Sequence, residues 1–177
     1  MMTGAGRFNT YLFLLTVALA VGCKTTEERR RDKAMTTFRL HLEINNRGDT
    51  GSGAIVEIAG AQLYVNNASF LDETSVTNAA VVDTRDGGFA IQVEYDRHGT
   101  LVLDTVTTGN RGGHLAIFTQ FGPGKLEQTR WLGAPYIGSS ITGGVLIFTP
   151  NSSRAEAEQV VQGLNNVAKR LKKKSAS

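Results

Sequence analysis

Cysteine and histidine are scarce in this sequence, and their scarcity limits the chemistry that the protein can carry. The 177 residues include one cysteine, which excludes an intrachain disulfide and a cysteine-rich metal site. The three histidines, His41, His98 and His114, are scattered along the chain, and this argues against a zinc site. We therefore expect no bound metal.

Long apolar runs and prolines are also few. No run of about 20 apolar residues, the length that spans a bilayer as a helix, occurs anywhere. Twenty glycines against three prolines favour turns and antiparallel strands over a long helical bundle. The hydrophobic content of 41% and the charged content of 20% are those of a folded domain. The length corresponds to one domain once a targeting segment is removed.

The first 22 residues have the pattern of a signal peptide. An apolar run at residues 11–21 follows Arg7, the only charge in this segment, and is too short to span a bilayer. It ends in Leu19-Ala-Val-Gly-Cys23, which resembles a bacterial lipobox. The resemblance implies that Cys23 is a lipid attachment site and that the protein is anchored to a membrane of the bacterial cell envelope, facing the periplasm. The alternative is an ordinary signal peptide, or a short uncleaved anchor, with an incidental cysteine.

Residues 23–36 are predicted to form a flexible, charged tether that starts at the lipidated cysteine. Residues 24–35 hold five basic and three acidic side chains and almost no apolar ones. Such a segment cannot bury enough surface to order itself. A surface helix stabilised by Glu–Arg pairs is the alternative.

Alternation of apolar and polar residues predicts most of the strands. The clearest strand covers residues 38–45, where His41 falls on the polar face and is interpreted as a surface histidine. Residues 54–58 and 62–65 form a predicted hairpin around Ala59-Gly60-Ala61. A short helical turn is expected within residues 69–78. Further strands are predicted at residues 79–83, 89–95, 115–121, 128–132 and 145–149.

Capping residues predict two helices. Asp96 can cap a helix over residues 97–108 that ends at Gly109. Ser153 and Glu156 form a capping box at the start of the last helix. The apolar stripe of that helix comprises Val160, Val161, Leu164, Val167, Ala168 and Leu171.

Together these elements predict an α+β domain over residues 37–171. An antiparallel or mixed sheet carries two main helices on one face, because each apolar face needs another layer to cover it. The basic residues 172–177 are predicted to be a disordered tail.

Short motifs spread along the chain carry a family resemblance. In order they are Gly88-Phe-Ala-Ile-Gln-Val, Gly99, Thr107-x-x-Asn110-x-Gly112, Leu115-Ala-Ile-Phe, Ala134-Pro135-x-Ile137, Ile141-Thr-Gly-Gly144 and Glu156-Ala157. Their order and spacing resemble the head subdomain of the first periplasmic domain of SecD, a membrane component of bacterial protein export. The resemblance extends over residues 38–167, which is most of the mature chain.

The resemblance implies a binding module rather than an enzyme. The SecD head lies outside the membrane and is thought to contact polypeptide emerging from the export channel. The implied partner is therefore an exported polypeptide or the Sec translocase, with no metal, organic cofactor or small-molecule substrate. SecD also uses membrane-spanning helices in proton-driven work, and here we expect the head to act as a tethered binding module.

Sequence patterns for catalysis and for nucleic-acid binding are incomplete. Residues 122–125, Gly-Pro-Gly-Lys, lack the first glycine and the Ser or Thr of a phosphate-binding loop. Residues 138–142, Gly-Ser-Ser-Ile-Thr, lack the last glycine of a nucleophile elbow. Residues 109–112 have the GxxG pattern of a nucleic-acid clamp, but a turn that ends a helix explains it. We predict no catalytic residues and no nucleic-acid partner.

Arg130, Trp131 and Tyr136 are the candidate protein-binding residues. Tryptophan, tyrosine and arginine dominate binding energies at protein interfaces, and Trp131 is the only tryptophan of the chain. The alternative for Trp131 is a core position beneath the last helix.

A different function follows from the basic run at residues 169–174. This run could hold a structural envelope lipoprotein against peptidoglycan, anionic lipid or a membrane complex. A solvated tail is the alternative.

Overall fold

The computed structural model describes residues 26–44, 53–122 and 128–175. Those residues form an α+β arrangement of antiparallel strands and helices. In chain order the elements are α1 (Thr26–Lys33), β1 (Thr37–Leu42), β2 (Gly53–Ile58), β3 (Ala61–Asn66), a 3₁₀ turn (Glu73–Ser75), β4 (Val76–Asp83), β5 (Phe89–Tyr95), α2 (Arg97–Gly109), β6 (Leu115–Phe121), β7 (Gln128–Gly133), β8 (Val145–Phe148) and α3 (Arg154–Ser175).

The strands form three antiparallel sheets rather than the single sheet expected from the sequence. Their orders are β1–β6–β7, β2–β3 and β4–β5–β8. The two larger sheets meet where the Asn151 N–H donates to the Leu132 carbonyl across 2.6 Å. Leu132 lies at a bulge of β7, between the residues that pair with Ile117 and Phe118. A bulge bends and twists its strand, and among the described strands β7 and β8 do not pair with each other.

The strands predicted at residues 89–95 and 115–121 and the helix predicted between them are present, but the two strands belong to different sheets. The Asp96 side chain accepts a hydrogen bond from the Gly99 N–H across 2.7 Å, which confirms the predicted cap of α2. On either side of this helix, β5 pairs with β4 and β8, whereas β6 pairs with β1 and β7. The helix therefore links the two sheets.

One hydrophobic core fills the space between the two larger sheets and α3. Its fully buried side chains come from β1, β5, β6 and α3, among other elements. They include Phe38, Leu40, Ile91, Val93, Leu115, Ile117, Phe121, Val160 and Leu164. The apolar stripe predicted for the last helix is largely buried, although Leu171 at its end is exposed.

The capping box at the start of α3 is confirmed. The Ser153 N–H donates to the Glu156 carboxylate across 2.9 Å, and the Glu156 N–H donates to Ser153 Oγ across 3.3 Å. The hydrogen bond from the Ser153 backbone lowers the pKa of Glu156, and hydrogen bonding from the Ser153 side chain and the charge of Arg130 act in the same direction.

The prediction of a flexible tether before β1 is wrong over Thr26–Lys33, which forms α1. The side-chain amide of Asn166 donates to the carbonyls of Arg31 (2.7 Å) and Ala34 (2.9 Å). The Arg31 carbonyl also accepts from the Ala34 N–H across 3.2 Å, so the Asn166 bonds connect the end of α1 and the residue after it to α3. Next to this contact, a Cβ atom on Gly163 would lie 2.0 Å from Thr36 Oγ1. Glycine at this position therefore lets the residues after α1 lie against α3.

The prediction of a disordered basic tail is wrong as far as Ser175, where α3 ends. Lys172, Lys173 and Lys174 occupy the last turn of the helix. Positive charge at this end interacts favourably with the helix dipole, which accounts for the longer helix.

Several predictions fall outside the described residues. They concern the signal peptide at residues 1–22, the lipid attachment at Cys23, the loop at residues 123–125 and the last two residues of the chain. Within the part of the chain that the structure describes, no helix is both long enough and apolar enough to cross a membrane.

Candidate protein-binding surfaces

Arg130 and Trp131 lie next to each other in β7 and therefore point to opposite faces of the sheet. The Arg130 guanidinium forms an ion pair with the Glu156 carboxylate at 3.2 Å and contacts the Asn151 carbonyl at 3.4 Å. Arg130 thus connects β7 to the start of α3. The structure does not bring it together with Trp131 on one surface.

Trp131 packs on the face of the β1–β6–β7 sheet that lies opposite the main core. It makes edge-to-face contacts with His41 and Phe118, at ring-centroid distances of 5.3 and 5.2 Å. The β2–β3 hairpin covers this part of the face with Ile58, Leu63 and Val65. Trp131 is therefore half-buried beneath the hairpin, and not beneath the last helix as the alternative interpretation expected.

The same hairpin buries His41, so the interpretation of His41 as a surface residue is wrong. Its exposed fraction is 9%, and its Nδ1 atom lies 2.9 Å from the Asn66 carbonyl oxygen. The alternating pattern of β1 identified the correct face. It carried no information about a hairpin that packs over that face from elsewhere in the chain.

Tyr136 lies on the same face as Trp131 but outside the hairpin, with an exposed fraction of 64%. It is opposite His114 in an antiparallel bridge, and the two rings are in edge-to-face contact at 5.5 Å. His114 Nδ1 is in turn 2.7 Å from a carboxylate oxygen of Glu43. The two aromatic candidates therefore lie on one stripe of the sheet, of which the Tyr136 end is open.

The segment from residue 134 to 144, which carries Tyr136, is held against α2. The Ile141 N–H donates to Thr107 Oγ1 across 2.9 Å, and the Thr107 hydroxyl donates to the Leu103 carbonyl within the helix. The Gly112 N–H donates to the Ile137 carbonyl across 3.0 Å. Several of the positions that carry the family resemblance thus fix the shape of this segment.

Strand β8 presents a second surface, which the sequence analysis missed. In an antiparallel ladder, neighbouring residues point their backbone groups alternately toward and away from the partner strand. The Gly144 carbonyl accepts from the Tyr95 N–H of β5 across 2.9 Å. In steps of two residues from Gly144, the backbone groups of Leu146 and Phe148 also point toward β5. The N–H and C=O groups of Val145 and Ile147 consequently point away from the sheet.

This outer side of β8 is called the open edge below, and it consists of the outward backbone groups of Val145 and Ile147. Within the described ranges, no residue makes a hydrogen bond to these outward groups. The Val145 and Ile147 side chains are also exposed, that of Ile147 to 56%. The strand contains no lysine, proline or bulge, which are common devices that block pairing at an exposed edge.

Two other strand edges of the domain, those of β4 and β1, are covered. On β4, the Asn165 side chain accepts from the Ala79 N–H and donates to the Ala79 carbonyl, both at 2.9 Å. On β1, the Phe38 N–H donates to the Glu73 carboxylate across 2.9 Å, and Leu40 forms a bridge with Leu71. The open edge of β8 therefore contrasts with edges that the fold itself closes.

Clusters of metal-binding side chains are not found in the described residues: no group of three or more His, Cys, Asp or Glu residues could hold an ion there. Aromatic contact is available at Tyr136, and backbone hydrogen bonding is available along β8.

A family comparison identifies the fold that carries these surfaces. Residues 51–168 match the family of the SecDF P1 head subdomain. The chain belongs to this family. The SecDF P1 head match covers every described element from β2 to β8 and most of α3.

Solved structures of SecDF share this fold. One, of a membrane component SecDF that enhances protein export, is 16% identical with a TM-score of 0.55, and the match covers 82% of this chain and 70% of that chain. A crystal structure of SecDF in a super-membrane-facing form gives the same identity and TM-score, with 82% of this chain and 21% of that chain covered. A search of curated proteins finds no relative of this chain.

Proposed function

We propose that this SecDF P1 head domain acts in protein export in the bacterial cell envelope, where it binds extended segments of exported polypeptide. The observation that carries the proposal is the open edge of β8. Backbone donors and acceptors at strand spacing are matched by another extended backbone, which can add to the sheet as a new strand. A chain in transit across a membrane has not yet folded, so its own backbone groups are available for such pairing.

The side chains of β8 favour the same kind of ligand. Val145 and Ile147 are apolar and β-branched, and they stand on the exposed face of the strand. Cross-strand contacts between such side chains stabilise an added strand in a way that tolerates many sequences. A site that relies on backbone pairing suits an export component that meets many different polypeptides.

Tyr136 is the proposed contact for a translocase subunit, the second partner class that the family suggests. It is a rigidly held, exposed aromatic residue, and such residues are frequent anchors at protein interfaces. Trp131 supports the surface from beneath the hairpin. Arg130 connects β7 to α3 and is proposed to act on this surface only through the position of that strand.

The proposed location is the periplasmic side of a membrane, with the chain anchored by lipid at Cys23. In this arrangement the domain does not carry out catalysis. Mass spectrometry of the intact mature protein tests the anchor: a lipid-modified Cys23 at the N-terminus is the expected result, and an unmodified internal Cys23 would contradict it.

Hydrogen exchange at β8 tests the polypeptide site directly. The probe is a permanently unfolded polypeptide, such as reduced and carboxymethylated α-lactalbumin, with native α-lactalbumin as the folded control. The amides of Val145 and Ile147 should exchange rapidly in the free domain and become protected when the unfolded probe is added. Unchanged exchange at saturating probe, or equal protection by the folded control, would overturn the proposal.

Two substitutions at one position separate backbone pairing from side-chain contact. Ile147→Pro removes the outward N–H, and proline is tolerated there because that group makes no bond to β5. We expect it to weaken binding of the unfolded probe by about tenfold. Ile147→Thr keeps the N–H and a β-branched side chain, so it should bind nearly as well as the unsubstituted protein. Equal binding by both variants would contradict strand addition.

A further inference from the structure

We propose that the end of the domain formed by α1 and the last turns of α3 binds the surface of an anionic phospholipid membrane. This end is called the basic end below, and it comprises the described residues 26–33 and 169–175, with Lys24 and Thr25 directly before them in the sequence. It lies on α1 and the end of α3, whereas the polypeptide-binding site proposed above lies on β8.

The contacts between α1 and α3 place the two basic segments next to each other. Thr36 lies against Gly163, and the carbonyls of Arg31 and Ala34 accept from Asn166. From Thr36 back to Arg31, the contacted position on α3 therefore advances from Gly163 to Asn166. The two helices run antiparallel, and the start of α1 lies toward the C-terminal turns of α3.

Positive charge is concentrated at this end. Residues 169–175 carry five lysine and arginine residues and no acidic residue, and residues 24–33 carry five basic and three acidic residues. Most of the described basic side chains are solvent-exposed. These are Arg29, Arg31, Lys33, Lys169, Arg170, Lys172, Lys173 and Lys174.

The rest of the domain has the opposite charge. Residues 34–168 contain eight basic and thirteen acidic side chains, a net charge of −5. The overall charge of +3 therefore hides a strong separation of charge along the molecule. Near an anionic surface, this separation attracts the basic end and repels the sheets, so that the domain takes one orientation.

Charge complementarity selects an anionic membrane as the partner. Each lysine or arginine near such a surface strengthens binding by roughly fivefold, and the effect disappears within about a Debye length of the surface. A helical end with several adjacent cations and exposed Leu171 meets these requirements. A single phosphate ion would engage only one or two of these side chains.

A lipid anchor at Cys23, which belongs to the proposed function, would strengthen binding of the basic end, although the charge distribution does not depend on it. Cys23 precedes the first residue of α1 by three positions. Three residues span at most about 11 Å even when fully extended. An anchor at Cys23 would hold the basic end within the range over which the membrane charge acts.

Lysine acetylation followed by mass spectrometry tests the proposal on the intact chain without any substitution. The protein is mixed with vesicles of phosphatidylcholine alone, or of phosphatidylcholine and phosphatidylglycerol. We expect the anionic vesicles to slow acetylation of Lys169, Lys172 and Lys174 by roughly fivefold or more relative to the neutral vesicles. Acetylation of Lys125, in the connection between β6 and β7, should not change. High salt should remove the difference.

Equal acetylation rates in the two kinds of vesicle would overturn the proposal. Equal protection by inorganic phosphate in neutral vesicles would also overturn it, because the site would then recognise a single anion and not a surface. Protection by purified peptidoglycan, without protection by anionic vesicles, would favour the cell-wall alternative and contradict a membrane partner. None of these outcomes depends on polypeptide binding at β8, so failure of one proposal is distinguishable from failure of the other.

A matched pair of variants controls for net charge. The triple substitution Lys172→Gln, Lys173→Gln and Lys174→Gln should abolish the protection of Lys169 by anionic vesicles. The triple substitution Arg85→Gln, Arg97→Gln and Arg111→Gln removes the same charge from exposed positions elsewhere on the domain. It should leave the protection intact. Equal loss in both variants would show a response to overall charge and contradict a localised basic end.

Discussion

The β4–β5–β8 sheet has two edges that the fold treats differently. Along β4, helix α3 lies beside the strand, and Asn165 occupies both backbone groups of Ala79. An ion pair between Arg154 and Asp83 adds a further contact at the end of the strand. Along β8, the outward groups of Val145 and Ile147 receive no such partner from the described residues. The two edges share β5 as their central strand and differ in what lies outside them.

The placement of α3 therefore decides which edge of this sheet can pair with a further strand. A side-chain amide has the same donor and acceptor as a peptide group. Asn165 therefore occupies the backbone groups of β4 with which another strand would otherwise pair. At β8 the ladder stops without a cap.

Leu164→Ala should have the largest effect. Leu164 is fully buried in the core where α3 packs, and a cavity at such a site costs about 2–5 kcal/mol of unfolding free energy. Urea denaturation followed by circular dichroism measures the change. Leu101→Ala, at an exposed position of α2, is the matched control and should change stability by less than about 0.5 kcal/mol. Equal losses in the two variants would contradict the assignment of Leu164 to the core.

Asn165→Ala should open the closed edge. It leaves the N–H and C=O groups of Ala79 without their partner, at a cost of about 1–3 kcal/mol. Hydrogen exchange of the Ala79 amide should accelerate by the factor that corresponds to this free-energy cost. Gln159→Ala, at an exposed position of the same helix, should leave that exchange rate unchanged. An unaltered rate in Asn165→Ala would mean that the amide does not close the edge.

Glu156→Gln should produce a smaller, pH-dependent effect at the start of α3. Because the Ser153 N–H lowers the pKa of Glu156 in the folded state, the carboxylate stabilises the fold above its ordinary pKa of 4.5. This contribution is lost as the pH falls through the lower folded value. We expect less than about 1 kcal/mol, since the ion pair with Arg130 is partly exposed to solvent.

Urea titrations at neutral and acidic pH measure the Glu156 contribution. Stability should fall less on acidification in Glu156→Gln than in the unsubstituted protein. Glu158→Gln removes an exposed carboxylate two positions beyond the capping box and should retain the full pH dependence. The same acid response in all three proteins would rule out the predicted role of the capping box.

Ile147→Lys should have the smallest effect on stability and a clear effect on binding. Ile147 is exposed on the open edge, so its replacement should change the unfolding free energy by less than about 0.5 kcal/mol. A lysine on an edge strand discourages pairing with another chain, so binding of an unfolded polypeptide should weaken. Ile55→Lys introduces the same charge at an exposed position of the β2–β3 hairpin. It should not affect binding.

Features that depend on neighbouring residues could be predicted from the sequence. The caps at Asp96 and at Ser153–Glu156 require only residues three positions apart, and both are present. The alternating strands and the Ala59-Gly60 hairpin turn are equally local, with positive φ angles of 52° and 84° at the two turn residues. Family motifs identified the head fold, because their order along the chain reflects the order of its elements.

Features that depend on distant parts of the chain could not be predicted. Helix α1 is held by Asn166, which lies 135 residues beyond Arg31. His41 is buried by a hairpin that its own strand pattern does not describe. The open edge of β8 was missed because alternation within a strand says nothing about which strands flank it. Arg130 and Trp131 are neighbours in a predicted strand, which already indicates opposite faces. They were predicted to form one surface only because both are frequent at protein interfaces.

The bond between Thr107 and Ile141 has a consequence for motion. Thr107 is buried in the last turn of α2, and the same hydroxyl that accepts from Ile141 donates within the helix. Unwinding of α2 at this point would release the segment that carries Tyr136, and detachment of that segment would expose the hydroxyl. Helix and segment should therefore open as a single cooperative unit. A partner that docks on Tyr136 would then slow the opening of α2 without touching that helix.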